Sequence, residues 1–342
     1  MAIVQSVNLP YTACEAKPAN RLRLVICALV CLVVGTSCST SSGGGTSPST
    51  TAHATKDNSR TYATTADVID AVRAAQESTT VPESVASTLT ASDDTQPPHQ
   101  FDCRPIEKPK HADYFGDCAT GDEHGSKLMV VYGDSHASMW LWPLASIASK
   151  SGWKLRLFSL GGCPAPDLQF LSSQTLSPNT DCDAFHASAM SAISALHPDL
   201  IVVSSYSFEY EADRSEPTRD QWQRALESAF RKLAAPGTRM AMIGNIPQWG
   251  HSDARCLAAH LNKVQACSAA VAEATPRNLD AERAATESVG GTYVSTTNWV
   301  CAERCEPVIA DLRVYSNEYH FTRIYTEYLT GALRESLEPV LR

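Results

Sequence analysis

The sequence has few charged residues and no cluster of basic ones. Asp, Glu, Lys and Arg make up 19% of the 342 residues, and 37 acidic residues against 28 Lys and Arg give a net charge of −9 at pH 7. Binding to nucleic acid requires clustered Lys and Arg side chains that neutralise phosphates. The composition therefore argues against a nucleic-acid partner.

Motifs of common cofactor and metal sites are also missing. The chain contains no G-x-G-x-x-G and no G-K-[ST] sequence, which argues against a nucleotide site. It contains no C-x-x-C pair and no H-E-x-x-H sequence, the spacings that indicate zinc sites. We therefore expect neither a cofactor nor a metal ion.

An apolar run near the amino terminus is too short to form a stable membrane span. Arg21 and Arg23 precede apolar residues 24–34, and small residues follow up to Cys38. A membrane span needs roughly 20 apolar residues, whereas a basic flank, a shorter apolar run and a small-residue exit are typical of a secretory signal. We predict that residues 1–37 are a signal peptide and that the protein is exported.

The residues around Cys38 indicate how the exported chain is attached. Cys38 and the Ser/Gly-rich sequence after it resemble the site at which bacterial lipoproteins are cleaved and lipidated, which implies a lipid anchor on the outer face of the cell membrane. Gly35 stands where such sites usually carry an aliphatic residue, so simple cleavage and secretion is the alternative. Residues 38–63, rich in Ser, Thr and Gly, are predicted to be a flexible tether.

The cysteines agree with export. Eight of the 12 cysteines follow Cys38, and an even number in an exported chain predicts disulfides. Eight cysteines allow 105 connectivities. Pairing neighbours along the chain gives the bonds Cys103–Cys118, Cys163–Cys182, Cys256–Cys267 and Cys301–Cys305.

Strand patterns alternate with helix patterns from residue 103 onwards. Helices are predicted around residues 66–76, 184–196, 222–233 and 324–337, and an extended arm at 81–100. Strands are predicted at residues 127–132, 154–159, 199–205, 239–243 and 291–295. This alternation predicts an α/β fold of three layers, in which about five parallel strands lie between two layers of helices. The globular domain is expected to span residues 64–342.

Ser135 is a candidate nucleophile. Four apolar residues, 128–131, precede Tyr132-Gly133-Asp134-Ser135, which is the pattern of a buried strand, a sharp turn and a capped helix. A serine at the carboxyl end of a parallel strand, beside helix N–H groups, occupies the usual position of a nucleophile in α/β enzymes. An ordinary capped turn is the alternative.

A serine nucleophile requires a base, and His320 is the candidate. It lies just before the predicted carboxyl-terminal helix, in a loop that can cover the edge of the sheet. Together, the Gly-Asp-Ser of residues 133–135 and the late histidine resemble the SGNH/GDSL hydrolase superfamily. That resemblance implies a flavodoxin-like fold and a serine nucleophile with a histidine base.

The similarity is greatest to the SGNH domain that follows the membrane part of acyltransferase-3 proteins, which O-acylate bacterial surface glycans. The shared features occur in the same order along the chain: Cys103, GDSHA at 133–137 with Met139-Trp140, Gly-Gly-Cys-Pro at 161–164 with Cys182, the strand at 198–203, the cysteine pairs 256/267 and 301/305, and His-Phe-Thr at 320–322. Unlike the fused proteins, this chain carries no multi-span membrane domain, so it resembles the extracytoplasmic module alone.

The resemblance implies roles for individual residues. Ser135 attacks the carbonyl carbon of an ester, and His320 accepts its proton. The N–H groups of Ser135 and Gly162 are expected to stabilise the oxyanion. His136 is expected to point away from Ser135 and to be structural.

Two positions depart from the superfamily pattern. Asn317 stands where D-x-x-H requires the aspartate of a triad, so either Ser135 and His320 act as a dyad helped by Asn317, or Asp311 or Glu318 replaces the aspartate. The oxyanion asparagine that many members carry after the third strand is also missing. Asn245, after the fourth strand, either contributes that donor or belongs to an ordinary turn at the strand's end.

These observations predict an exported serine esterase or O-acyltransferase that acts on O-acyl groups of cell-envelope glycans. The expected substrate is an acylated glycan or another small ester, and a separate membrane acyltransferase is the expected protein partner. The alternative is a lipoprotein of the same fold that binds glycans or serves as a scaffold with attenuated catalysis, for which Asn317 speaks.

Overall fold

The computed structural model describes residues 62–90, 102–104, 114–172, 177–207, 217–252 and 254–342. The predicted signal peptide, Cys38 and nearly all of the predicted tether lie outside these residues. The last two residues of the predicted tether are described and contact the domain: the Tyr62 hydroxyl lies 2.8 Å from Ser146 Oγ, and the Ala63 carbonyl accepts a 2.9 Å hydrogen bond from the Ala332 N–H. The folded part therefore includes residues 62 and 63.

Helices and strands alternate through most of the described chain. The helices are α1 Thr65–Ala75, α2 Glu83–Ala86, α3 Ser135–Met139, α4 Leu141–Lys150, α5 Thr180–Leu196, α6 Arg219–Leu233, α7 Ala254–Ala259, α8 Val271–Ala274, α9 Leu279–Ser288, α10 Arg323–Tyr328 and α11 Thr330–Leu341, with 3₁₀ turns at Val264–Cys267 and Thr297–Trp299. The strands are β1 Asp102–Arg104, β2 Tyr114–Gly121, β3 Lys127–Gly133, β4 Trp153–Leu160, β5 Leu200–Ser204, β6 Arg239–Ile243, β7 Ala269–Ala270, β8 Thr292–Val294, β9 Arg304–Cys305, β10 Val308–Ile309 and β11 Leu312–Arg313.

Seven strands form the central sheet in the order β1-β2-β4-β3-β5-β6-β8. The five neighbours from β4 to β8 pair in parallel and correspond to the five predicted strands, which confirms the predicted α/β fold. The antiparallel strands β1 and β2 extend one edge and were not predicted. β1 has only three residues, and the pairing of β2 shifts register between Phe115 and Cys118, so neither shows a regular alternation.

The side chains of β3 show why the sheet needs helices on both faces. Met129 and Val131 belong to one hydrophobic cluster, and Val130 and Tyr132 belong to the other. Since alternate residues of a strand point to opposite faces, both faces of β3 are buried. Helices α1, α4 and α11 contribute to the first cluster and helices α5, α6 and α9 to the second, which confirms the three layers.

Residues 81–90 differ from the predicted extended arm. They include the short helix α2, and Val81 and Val85 are buried in a small cluster with Leu257, Val264 and Val308. Two valines four residues apart pack this segment against the domain. Residues 91–100 of the predicted arm lie outside the described residues.

Three of the predicted disulfides are present among the described side chains: Cys163–Cys182, Cys256–Cys267 and Cys301–Cys305. For the fourth, the pairing of β1 with β2 places Cys103 opposite Cys118. The Cys103 side chain lies outside the described residues, so this bond remains a prediction. No helix in the described ranges is long and apolar enough to cross a bilayer.

Candidate active site

Ser135 lies at the turn between β3 and α3, at the carboxyl edge of the parallel sheet. Gly133 ends β3 with a φ of 149°, and a Cβ at this position would lie 1.9 Å from the Ser204 carbonyl oxygen. Only glycine lets the two parallel strands approach this closely at the point where the chain turns. Ser135 follows this turn as the first residue of α3, at the carboxyl end of β3, which is the middle strand of the seven.

We expect Gly133→Ala to destabilise the fold by roughly 3 kcal/mol or more, because the new methyl group overlaps a backbone atom that cannot move without disturbing β5. Gly250→Ala is the matched control, since a Cβ there meets nothing within 4 Å. Thermal unfolding measures both variants. Equal melting temperatures for the two would contradict this account of the turn.

Asp134 holds the turn in place through two hydrogen bonds between its carboxylate and backbone N–H groups. Its buried carboxylate accepts a 2.8 Å hydrogen bond from the His136 N–H and so caps α3. The same carboxylate accepts a 2.7 Å hydrogen bond from the Tyr206 N–H, in the segment that follows β5. Asp134 thus joins the serine-bearing turn to the loop that follows β5.

The structure brings Ser135 and His320 together across 185 residues of sequence. Ser135 Oγ lies 2.8 Å from His320 Nε2, within ordinary hydrogen-bond reach of a nucleophile and its base. His320 follows β11 and precedes α10, in the loop that the Tyr315–Phe321 β-bridge closes. Phe321, the next residue, is buried and packs edge-on against Trp140, which anchors the loop in the first hydrophobic cluster.

Asn317 determines which nitrogen of the neutral His320 ring carries the proton. Its Oδ1 atom accepts hydrogen bonds from the backbone N–H groups of Tyr319 (2.9 Å) and His320 (3.0 Å), so this atom must be the oxygen of the amide. The same oxygen lies 3.0 Å from His320 Nδ1, which must therefore carry a proton. His320 Nε2 is left unprotonated in the neutral ring and faces the Ser135 hydroxyl as an acceptor.

The surroundings favour the neutral form of His320. Burial lowers the pKa of His320 to about 4, from an ordinary value of 6.5. An aspartate at position 317 would oppose this effect with a negative charge, whereas the neutral amide of Asn317 supplies only an acceptor. The imidazole is therefore ready to accept a proton at neutral pH, but its cationic form gains little stabilisation.

The two acidic residues considered as substitutes for a triad aspartate have other environments. Asp311 is exposed in a left-handed conformation with a φ of 56°, at the turn between β10 and β11. Glu318 Oε1 lies 3.0 Å from an Arg255 guanidinium nitrogen. The contact to His320 Nδ1 comes from Asn317, so the geometry favours the dyad assisted by an asparagine.

Two backbone N–H groups are free to act as oxyanion donors. In the part of the chain that the structure describes, neither the Ser135 N–H nor the Gly162 N–H donates to another protein group. Gly162 is exposed in the turn after β4 with a φ of 68°. The Cys163–Cys182 disulfide and a 2.8 Å bond from the Ala165 N–H to Ser205 Oγ hold this turn in place.

Asn245 is buried, and its side chain is used within the protein. Its amide nitrogen donates to Ser207 Oγ at 2.7 Å, and its oxygen accepts from the Ile246 N–H at 3.0 Å. Its backbone N–H donates to Glu282, a fully buried carboxyl group whose pKa burial raises to about 8. These contacts favour the interpretation of Asn245 as part of a turn rather than as an oxyanion donor.

Sequence reasoning missed the position of His136. Its buried ring packs against the ring of the proposed base, His320, with 5.3 Å between centroids. Burial, and then the nearby His320, hold the pKa of His136 well below its ordinary value. His136 is therefore an uncharged residue that packs against the proposed base. The helix pattern alone placed it next to Ser135 but gave no signal for this contact.

Among the residues that the structure describes, two clusters contain the residue types of metal sites: Cys163, Cys182 and His186, and Cys256, His260 and Cys267. In both clusters the cysteines form the disulfides described above. Their sulfur atoms are therefore not thiolates, the form in which cysteine binds metals. His186 instead places Nε2 2.9 Å from the Pro164 carbonyl and so supports the turn that carries Gly162.

Comparisons with known proteins support the fold. The periplasmic domain of a lipopolysaccharide acetyltransferase from Salmonella ser. Paratyphi A has a similar fold, with a TM-score of 0.50 and 14% identity over 63% of this chain and 85% of that one. A proposed acylhydrolase from Bacteroides fragilis (TM-score 0.40, 13% identity, 65% and 91% coverage) and TesA (0.34, 16%, 63% and 99%) are more distant. No curated protein sequence matches the chain significantly.

The family model of the SGNH domain that is fused to AT3 domains matches residues 102–335, more than half of the chain. The matched range contains the serine turn, the glycine turn and the histidine loop. The chain belongs to the family of SGNH domains found fused to AT3 domains.

Proposed function

We propose that the protein is an exported serine esterase or O-acyltransferase that acts on the O-acyl groups of cell-envelope glycans. The observation that carries this proposal is the 2.8 Å contact between Ser135 Oγ and His320 Nε2, with His320 Nδ1 directed to Asn317. The family supports acyl-group chemistry in general. The glycan substrate is inferred from the Salmonella domain, which belongs to a lipopolysaccharide acetyltransferase, and from the membrane acyltransferases to which such domains are fused.

The first half of the reaction transfers the acyl group to the enzyme. Ser135 Oγ attacks the carbonyl carbon while His320 Nε2 takes the hydroxyl proton. The free N–H groups of Ser135 and Gly162 are the proposed donors to the oxyanion, and each such donor is commonly worth about 3 kcal/mol. His320 then gives the proton to the leaving alcohol as the ester bond breaks, which leaves the acyl group on Ser135.

The second half decides between hydrolysis and transfer. Water or a sugar hydroxyl gives a proton to His320 Nε2 and attacks the acyl carbon, and Ser135 regains its proton as it leaves. The protein groups are the same in both cases, so the nature of the acceptor decides the outcome. A membrane acyltransferase acting as a separate partner is the proposed source of the acyl group when the acceptor is a sugar.

Attachment to the membrane is a further part of the proposal. The signal-like residues 1–37 and the lipoprotein-like Cys38 support export and a lipid anchor. Incorporation of a radiolabelled fatty acid into the wild-type protein in cells, but not into Cys38→Ala, is the expected result. Equal labelling of both proteins, or of neither, would contradict lipidation at Cys38.

An attenuated enzyme that mainly binds glycans is the second candidate, and two observations favour it. Asn317 supplies no charge to His320, and the pKa of His320 is about 4. Both features raise the energy of the imidazolium that forms in the transition state. A turnover rate near that of the uncatalysed reaction, together with glycan binding that survives Ser135→Ala, would favour this function.

The proposal is tested by the reaction of Ser135 with a fluorophosphonate, which labels activated serines. We expect stoichiometric labelling of the wild-type protein at Ser135 and none of Ser135→Ala. His320→Ala should react much more slowly, because the proton acceptor is missing. Peptide mapping identifies the labelled residue. Wild-type protein that remains unlabelled at Ser135 would overturn the proposed nucleophile.

The low pKa of His320 gives a prediction for the pH dependence. The base must be neutral, so kcat/KM should stay nearly constant from about pH 7 down to about pH 5 and fall only as the pH approaches the His320 pKa of about 4. A triad histidine with an ordinary pKa would lose activity near pH 6.5 instead. The pH profile of ester hydrolysis measures the difference. A fall in kcat/KM centred near pH 6.5 would contradict the lowered pKa of His320.

A further inference from the structure

A continuous series of rings leads from His320 to the protein surface. The His136 ring lies 5.3 Å from the His320 ring and 5.3 Å from the Tyr206 ring, centroid to centroid. The Tyr206 ring contacts the Tyr319 ring at 5.7 Å with an interplanar angle of 81°. The Tyr319 ring is therefore linked through Tyr206 and His136 to the ring of the proposed base.

Tyr319 is unusually exposed for an aromatic residue in this position. It is 47% exposed, and the other large hydrophobic side chains exposed in the described ranges are Leu261 and Ile324. Of the three, Tyr319 is the one that immediately precedes the proposed base in sequence. An exposed aromatic residue beside a reaction centre is typical of a surface that contacts a ligand.

The Tyr319 ring is held in position before any ligand arrives. Its backbone N–H donates to Asn317 Oδ1 at 2.9 Å, and its carbonyl accepts from Gln248 Nε2 at 3.2 Å. Its ring is in edge contact with Tyr206, whose own N–H is bound to the Asp134 carboxylate. Little side-chain entropy is then lost when a ligand packs against the ring.

Polar side chains lie beside the backbone of Tyr319. Glu318, the preceding residue, forms an ion pair with Arg255 at 3.0 Å, and the Gln248 amide donates to the Tyr319 carbonyl at 3.2 Å. Guanidinium, carboxylate and amide groups bind hydroxyl groups well. An apolar ring face with polar groups nearby complements a pyranose, which has one face of C–H bonds and hydroxyls around its rim.

We propose that Tyr319, supported by Tyr206, forms a stacking subsite for a pyranose ring of the carbohydrate substrate, which places the acylated or acceptor hydroxyl near Ser135. This subsite rests on the proposed function, since it assigns the sugar of the same reaction to a particular surface. The planar face of the Tyr319 ring, with polar side chains beside its backbone, fits a pyranose better than a simple alkyl alcohol. A hydrophobic acyl chain on the same surface is the competing occupant.

Two substrates with the same acyl group test the subsite. Acetate release is measured from an O-acetylated hexopyranoside and from 4-nitrophenyl acetate, for the wild type and for Tyr319→Ala, Tyr319→Trp and Ile324→Ala. For each protein, the ratio of kcat/KM for the pyranoside to kcat/KM for the nitrophenyl ester is compared. We expect this ratio to be about tenfold lower in Tyr319→Ala than in the wild type, because the stacking contact is lost. Tyr319→Trp should keep the wild-type ratio of kcat/KM for the two esters. Ile324→Ala, with the same 47% exposure in the wild type, should not change it.

Direct binding separates the subsite from the chemistry. The affinity of Ser135→Ala for the acetylated hexopyranoside, measured by calorimetry or ligand-observed NMR, should fall about tenfold when Tyr319→Ala is added. If neither ester is hydrolysed but this loss is seen, the proposed catalysis fails and the subsite stands. If both esters are hydrolysed and Tyr319→Ala changes neither their ratio nor the affinity, the subsite is wrong and the esterase stands. A loss of affinity only for esters with long acyl chains would show that the surface binds the acyl group.

Discussion

Ser135→Ala should lower kcat/KM for hydrolysis of a chromogenic acetyl ester by about 10³-fold or more, because the alanine side chain cannot form the acyl-enzyme. The hydroxyl lies at the first position of α3 and 2.8 Å from His320 Nε2, so it takes part directly in the proposed reaction. Steady-state kinetics with the purified protein measure the loss, and circular dichroism checks that the variant is folded.

Ser151→Ala is the matched control for this loss. Ser151 is an exposed serine at the end of α4, and its side chain forms no hydrogen bond within the described residues. Its replacement should leave kcat/KM unchanged. Ester hydrolysis that is equally fast in wild type, Ser135→Ala and Ser151→Ala would mean that the reaction does not use Ser135.

Asn317→Asp should increase kcat/KM by at least about tenfold, and by at most the roughly 10⁴-fold that the reverse change costs in a serine-protease triad. The new carboxylate occupies the position of an oxygen that already lies 3.0 Å from His320 Nδ1. It keeps the same tautomer and adds a negative charge that stabilises the imidazolium. The acid limb of the pH profile should move above its wild-type position near pH 4, since the charge raises the pKa of His320.

Asn317→Ala is the complementary variant. It removes the acceptor of the His320 Nδ1 proton and of two backbone N–H groups, so the loop loses these three hydrogen bonds and the activity should fall below that of the wild type. The expected order of kcat/KM is Asp, then Asn, then Ala at position 317. An aspartate variant no faster than the wild type would show that charge at this position does not limit the reaction, and would remove the main argument for an attenuated enzyme.

The core of the fold could be predicted because its signals are local. Residues 128–131 and 200–203 are short apolar runs, and such runs predict strands that are buried on both faces. The apolar residues of α6, which recur every three or four positions from Trp222 to Leu233, are an equally local signal. The antiparallel edge formed by β1 and β2 was missed, because β1 is only three residues long and β2 shows no regular alternation.

The candidate site could be predicted only in part. Resemblance to the family brought Ser135, Asn317 and His320 forward, and the structure places these three side chains in contact. The packing of His136 against His320 depends on the crossing of α3 and the histidine loop, which no spacing in the sequence encodes. The burial of Glu282 on α9 could not be predicted either, because nothing in the sequence distinguishes this acid from a solvated one.

Asn317 gives the site a character of its own. Its amide oxygen performs the orienting part of a triad aspartate, since it fixes the tautomer of His320 and the conformation of the loop. It does not perform the electrostatic part. We therefore expect the site to form an acyl-enzyme readily only when the ester is activated or well positioned, for which binding of the sugar at Tyr319 provides a physical means.

The central claim is that Ser135 carries the acyl group between donor and acceptor. The most direct measurement is mass spectrometry of the protein after rapid acid quenching of its reaction with an acetyl ester, followed by peptide mapping. The account predicts a mass increase of one acetyl group on the peptide that contains Ser135, absent in Ser135→Ala and longer-lived in variants of His320. Turnover of the ester with no acyl group on Ser135 at any time would contradict it.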